Sequence, residues 1–150
     1  MDTPTLLIVE DEILTAISLQ TGLEDAGYQV MDLTSRPGEA LAAARARKPD
    51  LALVNIKLYG SNDGIALASE LKTLDVPVLF ISGQPDRAVS ARSAAVGSLP
   101  KPYSVDDMVA AVGYLLARLA GDATQPRPRT SKSSTRICRR RCRRAQAKAP

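Results

Sequence analysis

The chain has no histidine, no tryptophan and only two cysteines among its 150 residues. Neither a histidine nor a cysteine in the apolar part of the sequence is therefore available as a catalytic base or nucleophile. The two cysteines, Cys138 and Cys142, lie four residues apart near the end, which suits neither a disulfide framework nor a zinc site. Aromatic residues make up only 3% of the chain, so Ala, Leu, Ile and Val must fill the core.

Long apolar runs and nucleotide-binding loops are also absent. No stretch approaches the roughly 20 apolar residues of a membrane-spanning helix, and residues 1–4 lack the features of a secretory signal. No G-x-G-x-x-G or G-x-x-x-x-G-K-[ST] loop follows the first apolar run, which argues against a nucleotide- or dinucleotide-binding enzyme. We therefore expect a cytoplasmic protein that has no transmembrane segment and is not an enzyme.

Charge is divided unevenly along the chain. All 16 acidic residues lie at or before Asp122, whereas 10 of the 20 Lys and Arg residues follow it. Residues 1–122 therefore carry 10 positive and 16 negative charges, a formal net charge of −6. This division predicts an acidic folded domain over 1–122 and a basic, disordered tail over 123–150.

Two interpretations of the tail remain open. It could contact nucleic acid or an anionic lipid surface through its charge. Because it has no aromatic side chain to stack on bases, such nucleic-acid binding would be unspecific and sensitive to salt. Alternatively, the tail is a solubilising or incidental extension, and the sequence favours neither interpretation.

Five short apolar runs alternate with helical patterns. The predicted strands are Thr5–Val9, Tyr28–Leu33, Leu51–Ile56, Val76–Ser82 and Gly97–Leu99. Apolar spacings of three and four predict helices between and after them, over Ile13–Ala26, Pro37–Arg47, Ile65–Leu74, Arg87–Ala95 and, with Ser104 as N-cap, up to Leu119. The alternation predicts an α/β fold in which helices cover both faces of a parallel sheet.

Polar residues stand where the predicted strands end. Glu10 and Asp11 follow the first strand, Asn55 lies near the end of the third, Ser82 ends the fourth and Lys101 follows the fifth. In parallel α/β sheets, reactive groups gather beyond the carboxyl ends of the strands. We therefore expect these five side chains to share one cleft.

Five stretches of the sequence, in order, resemble the receiver domain of two-component response regulators. They lie between Thr5 and about Ala120 and read LLIVEDE, PDLALVNIKL, NDGIALASEL, VPVLFISG and LPKPY. One acidic pair or one Lys-Pro would mean little, but five motifs at suitable spacing are specific. The resemblance implies a flavodoxin-like (βα)5 fold with a doubly wound five-stranded parallel sheet in the order 2-1-3-4-5. It also implies a function in phosphorelay signal transduction.

The resemblance implies a metal site at the acidic pair. Glu10 and Asp11 would bind Mg²⁺, which prefers oxygen ligands, together with the Asn55 side chain and the backbone carbonyl of Lys57. Because an amide replaces the third carboxylate of the family's site, we expect the affinity for Mg²⁺ to be weakened. No other cofactor is expected.

Two positions depart from the family pattern. The resemblance implies that Ser82 is the switch hydroxyl, that Lys101 neutralises a transferred phosphoryl group, and that the Lys101–Pro102 peptide bond is cis. However, Asn55 stands where the phosphate-accepting aspartate is expected, and Ser98 where the family usually has its switch aromatic. An amide oxygen carries no full charge and attacks phosphorus poorly, so we expect no ordinary phosphorylation.

The leading hypothesis is a stand-alone receiver that works as a protein-interaction module without phosphorylation. The expected partners are a histidine kinase, a phosphotransferase or another response regulator, and the last two strand–helix units could also form a homodimer. The alternative hypothesis is a nucleic-acid-binding regulator that works through the basic tail.

Overall fold

The computed structural model describes residues 3–58, 63–83 and 95–121, which contain five strands and four helices. The strands are β1 Thr5–Val9, β2 Gln29–Thr34, β3 Leu51–Asn55, β4 Val78–Ser82 and β5 Gly97–Pro100. The helices are α1 Ile13–Asp25, α2 Pro37–Ala46, α3 Asp63–Thr73 and α4 Val105–Leu119. The helix predicted over Arg87–Ala95 falls almost entirely on residues 84–94, outside the described ranges.

The strands form one parallel sheet in the order β2-β1-β3-β4-β5, which confirms the predicted topology. In the centre of the sheet, Val9 of β1 pairs with Val54 of β3, and Asn55 pairs with Ile81 of β4. The carboxyl ends of β1, β3 and β4 are therefore level with one another. Residues that end or follow these strands are brought to the same edge of the sheet.

The core has two layers, one on each face of the sheet. On β1, Leu7 and Val9 belong to the layer that includes buried residues of α2 and α3, whereas Leu6 and Ile8 belong to the layer of α1 and α4. Every residue of β1, β3 and β4 is buried. This burial on both sides explains why these strands are continuously apolar rather than alternating.

The starts of two strands, β2 and β4, differ from prediction because the backbone hydrogen bonds there are used differently. Tyr28 donates its N–H to the carbonyl of Leu23 at 3.1 Å and so belongs to the end of α1, which delays β2 to Gln29. Pro77 has no N–H to give to the sheet, although its carbonyl accepts from Ala52 at 2.9 Å. The fourth strand consequently begins at Val78.

The last helix begins at the predicted N-cap. The Ser104 hydroxyl accepts a hydrogen bond from the Asp107 N–H at 3.0 Å, and the Asp107 carboxylate accepts one from the Ser104 N–H at 3.1 Å. This reciprocal capping box satisfies two backbone donors that the helix itself cannot pair. The buried face of the helix consists of Met108, Ala111, Val112 and Leu115.

The first helix buries Ala16, Leu19 and Leu23, as its spacing predicts. Ile13 begins the apolar spacing that predicts this helix, but its side chain is 69% exposed. It is the first residue of α1 and lies at the edge of the sheet, where the helix has not yet reached the core. Among the described helices, none combines the length and the apolar character needed to span a membrane.

Candidate functional site

The sheet brings Glu10, Asp11 and Asn55 together at its carboxyl edge. The Glu10 N–H continues the β1 ladder by bonding to the Thr34 carbonyl at 3.0 Å, which fixes the start of the loop that carries the acidic pair. Glu10 is only 3% exposed and Asn55 only 5%. Both polar side chains are therefore removed from bulk water and need partners inside the protein.

The Asn55 amide and the two neighbouring carboxylates are hydrogen-bond partners for one another. The amide Nδ2 donates to Oε1 of Glu10 at 3.0 Å and lies 3.5 Å from Oδ1 of Asp11. The Glu12 N–H also donates to Oε1 of Glu10, at 3.2 Å. By contrast, Oε2 of Glu10 is buried without any hydrogen-bond partner in the described part of the chain. The site thus holds one unsatisfied carboxylate oxygen.

The electrostatics of the site centre on Glu10. Burial raises the pKa of the Glu10 carboxyl above its ordinary value, and the adjacent Asp11 carboxyl raises it further. The Glu12 N–H, the Lys101 ammonium and the Asn55 amide act in the opposite direction but do not cancel the rise. Removal from water therefore outweighs the attraction of the nearby cation.

Lys101 approaches the acidic pair from the end of β5. Its N–H donates to the Ser82 carbonyl at 2.8 Å, which ties the end of β5 to the end of β4. Ser82 is buried at 3% exposure, and the Lys101–Pro102 peptide bond is cis. Ser98 lies inside β5, paired with Phe80. The five residues expected in the cleft therefore come from strand ends at one edge of the sheet.

Gly64, which the sequence prediction did not single out, packs directly against the backbone of Asn55 and Ile56. Its N–H donates to the Ile56 carbonyl at 3.0 Å, so the start of α3 lies against the end of β3. A Cβ on Gly64 would collide with the Asn55 carbonyl oxygen and lie 2.7 Å from the Ile56 backbone. An Asp-Gly pair is typical of a turn, so the sequence could have indicated a close connection here. Only the packing shows why residue 64 must be glycine.

Tyr103 is a second residue of the site that sequence reasoning missed. Its hydroxyl is buried and has no hydrogen-bond partner among the described residues. Burial, followed by the negative charges of Glu10 and Glu12, raises the pKa of Tyr103 to about 12. The hydroxyl therefore remains protonated at neutral pH. Nothing in the sequence around Lys101 and Pro102 predicted this placement.

The site offers oxygen ligands of the type that a hard cation prefers, but only a few of them. The carboxylates of Glu10 and Asp11 offer oxygens, one of them the unpartnered Oε2 of Glu10, and Mg²⁺ prefers such ligands. However, Asn55 turns its N–H₂ group toward the two carboxylates. Within residues 3–58, 63–83 and 95–121, no cluster of three or more Asp, Glu, His or Cys is arranged to hold a metal.

A doubly wound parallel sheet with this strand order, covered by helices on both faces, is a flavodoxin-like fold. The chain belongs to the response regulator receiver domain family, whose family model matches residues 6–113. The predicted family and fold are thereby confirmed.

Known proteins are similar to this chain over about three quarters of its length. The chain is 33% identical over 117 residues to the transcriptional regulatory protein PdtaR of Mycobacterium tuberculosis, a match that covers 75% of this chain and 57% of PdtaR. The chain therefore spans a little over half the length of this relative. The receiver domain of a modulated diguanylate cyclase from Desulfovibrio desulfuricans G20 superposes with a TM-score of 0.69 at 33% identity, covering 78% of this chain and 96% of that domain.

A CheY-like receiver domain from Methanospirillum hungatei JF-1 shows the same fold. It has a TM-score of 0.73 at 24% identity and covers 81% of this chain and 100% of its own length. At this identity the comparison supports the architecture alone.

Proposed function

We propose that this chain is a receiver that works in phosphorelay signalling as a protein-interaction module and is not phosphorylated at Asn55. The observation that carries the proposal is the position of the Asn55 amide at the end of the central strand β3, with its nitrogen 3.0 Å from Oε1 of Glu10. Asn55 would occupy the position of the phosphate-accepting aspartate. Ser82 would be the switch hydroxyl, and Lys101 the lysine that faces the phosphoryl group.

The chemistry of the amide supports this proposal. Formation of an acyl phosphate needs a carboxylate oxygen that attacks phosphorus, and the Asn55 side chain has none. Its N–H₂ group is instead engaged with Glu10 and Asp11. The remaining parts of the site, which neutralise and bind a phosphoryl group in phosphoryl transfer, would then serve to hold one conformation of the domain.

Any Mg²⁺ site in this protein would be weak. Glu10, Asp11 and the backbone carbonyl of Lys57 would hold the ion, and Asn55 would have to offer its oxygen rather than its nitrogen. When bound, the ion would neutralise the two carboxylates. The Lys101 charge already reaches Glu10, so the protein's own residues provide part of that neutralisation.

Receiver domains interact with histidine kinases and with other response regulators. We propose partners of these kinds or a phosphotransferase for this chain, in the cytoplasm and without enzymatic activity of its own. Pairing with a second copy through the last two strand–helix units is a further proposal.

A second candidate function is nucleic-acid binding through the basic residues after Asp122. It is favoured by the 10 Lys and Arg residues there, which no acidic residue balances. Binding of this kind would weaken steeply with salt. A gel shift with duplex DNA that disappears when those residues are neutralised would support it.

Acetyl phosphate with Mg²⁺ tests the main proposal. On a phosphate-affinity gel the native chain should not shift, whereas the Asn55→Asp variant should shift because it restores the attacking carboxylate beside Ser82 and Lys101. The Asn55→Ala variant, which has no side-chain oxygen at this position, is the matched control and should not shift. A shift of the native chain that is lost in Asn55→Ala would overturn the proposal.

A further inference from the structure

The outer face of α1 exposes a patch of large apolar side chains. Ile13 is 69% exposed, Leu14 73% and Ile17 46%. They account for three of the four large hydrophobic residues that are exposed in the described part of the chain, and the fourth, Leu119, lies on α4. Contiguous exposed apolar side chains of this kind mark interaction surfaces.

Acidic residues lie at both ends of the helix that carries this apolar patch. Glu12 precedes the helix, Glu24 and Asp25 end it, and all three are exposed. The helix contains no Lys or Arg, and its last turn has no basic residue. The two carboxylates therefore add to the negative end of the helix dipole, where a cation is the favourable neighbour. A partner that is both apolar and basic would therefore complement this surface.

The sequence after Asp122 has this composition. Residues 136–144 read RICRRRCRR, in which six arginines surround the apolar residues Ile137, Cys138 and Cys142. No acidic residue follows Asp122, so nothing within this segment competes for its charge.

The point at which the chain leaves the described domain makes this contact reachable. Tyr28, three residues after α1, has its hydroxyl oxygen 3.1 Å from where a Cβ on Gly113 would lie, so α4 passes the acidic end of α1. Gly121 is eight residues beyond Gly113, about 12 Å along a helix. The 15 residues from Gly121 to Arg136 reach at most about 50 Å when extended. This exceeds the distance of about 12 Å back to Gly113 taken together with the length of α1, which is about 20 Å for its 13 residues.

We propose that the outer face of α1 is the docking surface for residues 136–144 of the same chain. Ile137, Cys138 and Cys142 would cover Ile13, Leu14 and Ile17, and the arginines would lie opposite the acidic ends of the helix. The tether favours this arrangement because it holds the segment at an effective concentration in the millimolar range. The docked segment would cover the surface next to the acidic cleft and would compete with any partner that binds there.

A nitroxide spin label on the full chain tests this proposal. Replacing Cys138→Ala and Cys142→Ala keeps small apolar side chains at both positions, and Ser134→Cys then provides a single labelling site next to the arginine segment. At low salt, the label should reduce the NMR amide intensities around Ile13, Leu14 and Ile17 at least about twofold relative to the reduced label. High salt should weaken the effect because it screens the charges.

Matched variants on α1 separate docking from general proximity. Leu14→Ser together with Ile17→Ser removes apolar surface at exposed positions and should abolish the broadening while leaving a folded spectrum. Ser18→Ala together with Thr21→Ala changes exposed neighbours on the same helix and should leave the broadening unchanged.

Two results would overturn the proposal. One is the absence of broadening on α1, or broadening centred on another surface. The other is broadening of an isotope-labelled chain by a separate spin-labelled chain in a mixed sample, which would show contact between copies rather than within one chain.

Discussion

The Nδ2 atom of Asn55 lies 3.0 Å from Oε1 of Glu10 and 3.5 Å from Oδ1 of Asp11, so a single amide group bridges the two carboxylates of the cleft. Two neighbouring carboxylates repel each other when no cation separates them. The amide hydrogens reduce this repulsion but add no charge. The cleft is consequently held together by a neutral donor, with the Lys101 ammonium as the nearby positive charge.

Restoring the third carboxylate should strengthen magnesium binding. We expect Asn55→Asp to bind Mg²⁺ at least about tenfold more tightly than the native chain, a difference of about 1.4 kcal/mol, because a charged oxygen replaces an amide that points its hydrogens at the site. Isothermal titration calorimetry measures the two affinities. Asn55→Ala should show no gain, and equal affinities for the native chain and the Asp variant would contradict the prediction.

The Glu10 carboxyl should titrate above 4.5, its ordinary pKa, in a carboxyl-carbon NMR titration of the folded protein. Because the folded state binds this proton more tightly than the unfolded state, Glu10 lowers stability as the pH rises through its folded pKa. The unfolding free energy of the native chain, relative to Glu10→Gln, should therefore increase as the pH falls through the folded pKa of Glu10 toward 4.5. Glu24→Gln, at an exposed position, is the control, and a decrease would show that the sign is wrong.

Removing the Tyr103 hydroxyl should cost no stability. The group is buried without a partner among the described residues, and an unsatisfied buried hydroxyl is unfavourable. We expect Tyr103→Phe to leave the unfolding free energy unchanged or to raise it by up to about 1 kcal/mol in urea denaturation. Tyr114→Phe, which keeps the ring beneath Arg118, serves for comparison. A loss of more than about 1 kcal/mol would reveal a hydrogen bond to Tyr103.

Gly64→Ala should destabilise the domain by about 1–3 kcal/mol, the usual cost of overpacking. The added methyl group would collide with the Asn55 carbonyl and the Ile56 backbone, neither of which can move without disturbing β3. The control is Gly38→Ala in α2, where a Cβ meets nothing within 4 Å and the higher helix propensity of Ala should be neutral or stabilising by up to about 1 kcal/mol. Similar thermal stabilities of the two variants would argue against the close packing at Gly64.

Local sequence patterns predicted the fold well because they report burial directly. The continuous apolar runs marked β1, β3 and β4, and Ser104 marked the start of α4 because its hydroxyl can accept a hydrogen bond from the backbone of the first turn. The boundaries at Tyr28 and Pro77 were misplaced by one or two residues because they depend on which backbone groups donate hydrogen bonds. The exposure of Ile13 was missed because the periodicity of a helix does not show where the sheet beneath it ends.

The sequence by itself determined the parallel α/β architecture, the family, and the identity of the polar residues at the strand ends. Each of these follows from short-range patterns and from the order of the strands along the chain. Only the tertiary structure decided that the Asn55 amide bonds to both Glu10 and Asp11, that Gly64 must lack a side chain, and that the Tyr103 hydroxyl is buried without a hydrogen-bond partner among the described residues. These facts depend on distances between residues far apart in the chain, and such distances are set by how the strands and helices pack.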